Sequence, residues 1–169
     1  MPEKFKQDYQ AFAKQNFRYL IGLLRIIKNI ELRVLWVFRN YQISKGIKRW
    51  FFAYWLKRYK KTLGIELASV LIEGGIRLIH PFGITVNKYA QIGKNVTLHK
   101  GVTIGVIDQG KRKGCPIIED QVTVFAHAVI CGGITIGTGA IIGPNSFVNF
   151  DVPDNAIVIG NPGQVHKKS

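Results

Sequence analysis

From Val86 onward an aliphatic residue returns at every sixth position: Val86, Ile92, Leu98 and Ile104, then Ile118, Val124, Ile130, Ile136, Ile142 and Val148. A helix repeats near 3.6 residues and a half-buried strand at 2, so neither explains a period of six. A solenoid does. Each hexad is then one short flat strand, and three hexads, about 18 residues, close one triangular coil. The aliphatic residue points inward and stacks roughly 4.8 Å above its equivalent in the coil below. Val96, Val102, Val122, Ala128, Ala140 and Ser146 sit four positions after their markers. Small or polar residues such as Asn87, Gly93, Gly105, Gly137 and Gly143 follow the markers and suit tight corners.

Two interruptions carry the functional information, because a regular solenoid buries its repeats and leaves function to what breaks them. Between Leu78 and Val86 the phase slips by two, and the extra residues lie in "RLIHPFGITV", around His80 and Pro81. Between Ile104 and Ile118 the spacing is fourteen instead of twelve. The segment there, "GVIDQGKRKGCP", is charged and lacks the aliphatic marker, so an exposed loop is expected over 106–116.

The first third is different. Residues 1–62 hold 15 Lys/Arg against 3 Asp/Glu, while the rest holds 9 against 7. Apolar residues recur there at helical spacing, as in the stripe Leu20, Leu23, Leu24, Ile27 and Ile30, and Gly46 divides two helical stretches. Residues 1–62 therefore read as a basic amphipathic helical segment and 63–169 as the solenoid domain. The stripes can pack on one another, on a neighbouring subunit or on the solenoid. Alternatively, the aromatic, basic stretch containing Trp36, Trp50 and Trp55 meets an anionic membrane face. No apolar run approaches the roughly 20 residues of a spanning helix. The opening "MPEKFKQDYQ" is charged where a secretory signal would be apolar. Cys115 and Cys131 make neither a disulfide framework nor a metal-ligand spacing. A cytoplasmic setting follows, with peripheral membrane contact as the variant. Nucleic-acid binding rests on charge alone and has no motif behind it, so it is set aside.

Among candidate groups, His80 is either a histidine satisfied by backbone or the reactive residue for which the repeat is interrupted. His99 is the rival base, His127 a corner or cleft residue, and His166 a tail residue. Cys115 is read as passive rather than nucleophilic, and Cys131 as a corner or core residue. Lys111, Arg112 and Lys113 form either a solvated loop or a contact for phosphates or an anionic acceptor; Lys167 and Lys168 pose the same choice.

The segment "GIRLIHPFGITVNKYAQIGKNVTLHKGVTIG" resembles the catalytic stretch of the serine acetyltransferases. The hexads and the ending "VPDNAIVIGNPGQV" resemble the wider hexapeptide-repeat acyltransferases. The likeness runs from about Leu63 to Val165. It implies an α+β chain in which the helical segment is followed by a left-handed parallel β-helix; spacing alone does not give the hand. It also implies a homotrimer with active sites between subunits and acetyl-CoA as co-substrate. On this resemblance His80 falls on the catalytic histidine, and Glu66, in "GIEL", on the acid that orients it. Gly105, Ala126 and Pro144 fall along the pantetheine path, and "GNPG" resembles the tail that closes over CoA.

The sequence departs from the serine-directed pattern in two places. Ile79 replaces the aspartate before the catalytic histidine, and Gly114–Cys115 replace an Arg-His pair. An ammonium and a carboxylate cost several kcal/mol each to bury unpaired. The missing charges therefore favour a sugar or surface-polysaccharide hydroxyl, whereas overall similarity favours serine. Either acceptor needs a base for its hydroxyl proton, and imidazole, titrating near neutrality, suits that task. A non-catalytic trimeric scaffold, attached to a membrane or partner enzyme, is the contrasting reading.

Overall fold

The computed structural model describes residues 1–14, 19–67 and 71–166, with the side chains of Tyr19 and Leu20 outside that description. Four helices come first: α1 (Glu3–Ala13), α2 (Tyr19–Lys28), α3 (Ile30–Ile43) and α4 (Gly46–Leu63). Gly46 opens α4 at φ +54°, so the break expected there lies between α3 and α4.

The solenoid follows in coils of three strands. The first holds β1 (Leu71–Ile72), β2 (Arg77–Ile79) and β3 (Thr85–Val86), and the second β4 (Gln91–Ile92), β5 (Thr97–His99) and β6 (Thr103–Gly105). The third holds β7 (Ile117–Ile118), β8 (Thr123–Val124) and β9 (Val129–Cys131), and the fourth β10 (Thr135–Ile136), β11 (Ile141–Ile142) and β12 (Phe147–Val148). Two further strands, β13 (Ile157–Ile159) and β14 (Gln164–His166), end the described chain. Equivalent strands pair in parallel, giving the sheets β1-β4-β7-β10, β2-β5-β8-β11-β13 and β3-β6-β9-β12. β14 pairs antiparallel to β13 and closes the second sheet at that edge. The architecture is a left-handed parallel β-helix behind an α-helical segment.

All ten sixth-position aliphatics are at most 2% exposed, and their partners four residues later are buried with them. Full burial of one such side chain contributes about 1.5–3 kcal/mol, which is what keeps strands of two or three residues in register. The corners turn through left-handed positions. Gly64, Gly83, Gly101, His127 and Asn145 all have positive φ at one corner, and each amide from Gly83 onward donates to a carbonyl one coil below.

The helices cover the first coil. Phe5, Tyr9, Leu32, Leu35 and Phe38 join the same core as Ile72, Ile76 and Leu78. A buried ion pair pins them there. Arg39 Nε donates to Asp8 Oδ2 at 2.8 Å and Nη2 to Oδ1 at 3.2 Å, while Nη1 donates to the Ile72 carbonyl at 2.7 Å. Asp8 Oδ1 also accepts the amides of Gly75 and Ile76, at 2.8 and 3.0 Å. Burial pushes the Asp8 pKa up; Arg39 and the two amides oppose the rise. The expected α2 stripe turns out differently: Ile26 is buried, but Leu23, Leu24 and Ile27 are exposed in the protomer. Leu20 lies outside the described side chains.

Candidate active site

The phase slip becomes a bulge. β2 ends at Ile79, and His80 then adopts φ +50°, the left-handed conformation that His127 and Asn145 adopt at the corner. The buried Pro81 anchors the turn, and the Phe82 amide donates to the His80 carbonyl at 2.7 Å. His80 is thereby lifted off the prism and exposed.

The adjoining coils supply its neighbours. Ile79 pairs with His99, and the β5–β8 register puts Phe125 beyond it. The His99 and Phe125 rings stack at 4.7 Å between centroids, with an interplanar angle of 28°. Burial lowers the His99 pKa, and the charges of nearby His80 and Arg77 lower it further. Arg77 Nε is buried without a hydrogen-bond partner among the described residues. Phe125 and Arg77 escaped the sequence reading, although the repeat encodes the column: positions 79, 99 and 125 each follow an interior marker.

The corner beside His80 runs through Phe82, Lys100, Ala126 and Pro144, linked by amides of the next residue donating one coil down: Gly101 to Phe82, His127 to Lys100, Asn145 to Ala126. Two of the proposed pantetheine positions, Ala126 and Pro144, thus share an edge with the bulge. Gly105 does not; it lies at the far end of β6, opposite Cys131. A methyl group at Gly105 would meet only Cys131 Cβ, at 3.7 Å, so the wall there is open backbone. Lys111 is exposed on the 106–116 loop, a finger closed by an antiparallel bridge between Ile107 and Gly114. Lys167 lies outside the described residues.

Glu66 is placed beside Thr85 by a parallel bridge, but its carboxylate is engaged elsewhere. Lys60, from the last turns of α4, reaches Glu66 Oε1 at 2.6 Å. Among the described residues no hydrogen bond joins Glu66 to His80. At the other departures, Gly114 forms the base of the finger and Cys115 Sγ lies 3.3 Å from Asn87 Oδ1. Burial, and then the charge of Asp108, push the Cys115 thiol pKa up, which disfavours a thiolate nucleophile. Cys131 is raised likewise by burial. His127 occupies a corner at φ +60°, and His166 the tail strand.

No protein-family model matches the chain. It is 35% identical over 136 residues to the serine acetyltransferase of Bacillus licheniformis, covering 79% of this chain and 63% of that protein. It is 38% identical over 103 residues to that of Mycobacterium tuberculosis, covering 60% and 45%. The Neisseria gonorrhoeae serine acetyltransferase structure superposes with a TM-score of 0.78 at 26% identity, over 98% of this chain and 67% of that one. The chain is thus similar to serine acetyltransferases in sequence and in fold. A serine acetyltransferase solved in complex with CoA also shares the fold, with a TM-score of 0.74 at 25% identity over 97% of this chain and 68% of that one. The chain spans 63% of the length of these Bacillus relatives.

Proposed function

We propose that the protein is an acetyl-CoA-dependent O-acetyltransferase with His80 as general base. One observation carries the proposal: the repeat is broken by two residues, and the break exposes an imidazole on the same edge as Ala126 and Pro144. Bound acetyl-CoA supplies a thioester. His80 takes the proton from an acceptor hydroxyl, the hydroxyl oxygen attacks the thioester carbonyl, the C–S bond breaks, and the proton passes to the departing thiolate. Ala126 and Pro144 on this edge, with Gly105 on another edge of the coil, are the proposed lining for the pantetheine arm, and Lys111 and Lys167 are the proposed partners for its phosphates. Glu66 is the positioning residue in this scheme and must exchange Lys60 for His80 to act. The assembly is a homotrimer whose clefts combine residues of neighbouring subunits, in a cytoplasmic setting.

A sugar hydroxyl is the preferred acceptor. Ile79, Gly114 and Cys115 provide no charge for the two ends of an amino acid, and the His99–Phe125 stack offers an aromatic shelf for a neutral ring. Serine is the second reading, favoured by the identity of the relatives. The test is thiol release from acetyl-CoA with L-serine and with a panel of hexoses and oligosaccharides. His80→Ala should lower kcat about 10²–10⁴-fold. A chain that neither binds nor turns over acetyl-CoA would be the scaffold instead.

A further inference from the structure

α4 carries apolar side chains on two faces. Phe52 and Leu56 turn toward α3, and Phe52 meets Trp36 edge-on at 5.5 Å. Ile47, Trp50, Phe51 and Tyr54 follow the spacing of a second helical stripe, and all four are exposed, Ile47 by 88% and Trp50 by 79%. The same stripe continues through Lys57, Arg58 and Lys61, also exposed. Between Lys45 and Lys61 there are seven basic residues and no acidic one. Leu24 and Ile27 of α2 add exposed apolar surface on the same helical segment.

We propose that this stripe docks the protein on an anionic lipid bilayer, with Ile47, Trp50, Phe51 and Tyr54 in the interfacial layer and Lys57, Arg58 and Lys61 on headgroup phosphates. The occupant must offer an apolar phase beside negative charge. A second copy of the stripe does not: pairing sets the three cations either against one another or against the partner's apolar half. A bilayer supplies both phases at once, and Trp and Tyr favour its boundary. No helix among the described residues is long and apolar enough to cross a membrane, so the contact is along the surface. The proposal is independent of the acetyl-transfer reading.

The test is co-sedimentation of the full chain with extruded vesicles of phosphatidylcholine, with and without phosphatidylglycerol. Binding is expected on the anionic vesicles, weakened by salt, with little on the neutral ones. Each cation near such a surface contributes about fivefold in affinity, so Lys57→Gln/Arg58→Gln/Lys61→Gln should lose about a hundredfold while keeping its circular dichroism. Trp50→Ser/Phe51→Ser should lose about tenfold or more. A blue shift of tryptophan emission on binding should disappear in Trp50→Phe. Equal binding to both vesicles, no binding to either, or unchanged affinity in either multiple variant would overturn the proposal. So would a fall in the lipid-free sedimenting mass of Trp50→Ser/Phe51→Ser, which would assign the stripe to a second copy.

Discussion

Arg39→Met should be among the most damaging single changes outside the solenoid core, and the reason is local accounting of polar groups. Arg39 is 1% exposed and Asp8 fully buried. Removing the guanidinium leaves a buried carboxylate without its countercharge, takes the Arg39 bond from the Glu73 carbonyl, and leaves the Ile72 carbonyl with only the longer 3.4 Å bond from Lys4 Nζ. Breaking a buried pair from one side typically costs about 3–5 kcal/mol. Exposed pairs such as Lys4–Glu73 and Arg112–Asp151 contribute about 0–1 kcal/mol. The Asp8–Arg39 pair should therefore dominate the ionic contribution to the helical segment.

Replacing both partners separates charge from hydrogen bonding. In many proteins a buried pair can be exchanged for apolar residues at no net cost. Here Asp8→Ala/Arg39→Met still strands the Gly75 and Ile76 amides and removes the Arg39 bond to the Glu73 carbonyl, at about 1–3 kcal/mol for each group that water cannot reach. The double variant should thus remain destabilised by several kcal/mol, yet by less than the sum of the single variants. Urea unfolding followed by circular dichroism gives the full cycle. Because the Ile76 amide directly precedes β2, whose end carries His80, acetyl transfer should fall along with stability. An Arg39→Met variant destabilised by less than about 1 kcal/mol would refute the reasoning.

Glu66→Gln should lower kcat and alter the acidic limb of the rate–pH profile if the carboxylate positions His80, whereas Lys60→Gln should leave both intact; equal effects would reduce Glu66 to its ion pair with Lys60. The folded-state pKa of His99 lies below the ordinary 6.5, so the unfolded chain binds the proton more readily, and stability present above pH 6.5 should decline as pH falls below it. Melting temperature against pH should show this decline in the parent chain and a smaller one in His99→Gln. Cys115→Ser should retain activity within about twofold and yield no acetylated enzyme by mass spectrometry, as direct transfer rather than ping-pong requires.

The solenoid was legible because its code is local: one side chain in six faces inward, so Val86 through Val148 announce their burial without knowledge of any partner. The break at His80 was legible for the same reason, as a departure from a strict period. The helical segment has no such code. Leu23, Leu24 and Ile27 share the spacing of buried residues yet lie exposed, while Asp8 and Arg39, two charges in a highly basic stretch, meet across 31 positions in the core. The resemblance implied a contact of Glu66 with His80, whereas the carboxylate pairs with Lys60. Lys60 belongs to α4, and how a helix end sits against the first coil is a tertiary outcome that no repeat specifies.

The division of labour within the molecule follows from these same contacts. A parallel prism with its hydrogen bonds satisfied coil to coil has little freedom to reshape itself, so chemistry has to arise where a coil fails to close in the standard number of residues. The coil departs from that number at His80 and Pro81, on the first coil, the one the helices cover. Asp8 clamps the Gly75 and Ile76 amides just before β2, and Lys60 holds Glu66 beside β3, so helical contacts bracket the bulge on both sides. A change in how α1 or α4 sits, including one imposed at the exposed face of α4, would therefore reach the imidazole through two short paths. Loosening of either helix should register at His80 before it disturbs the coils beyond.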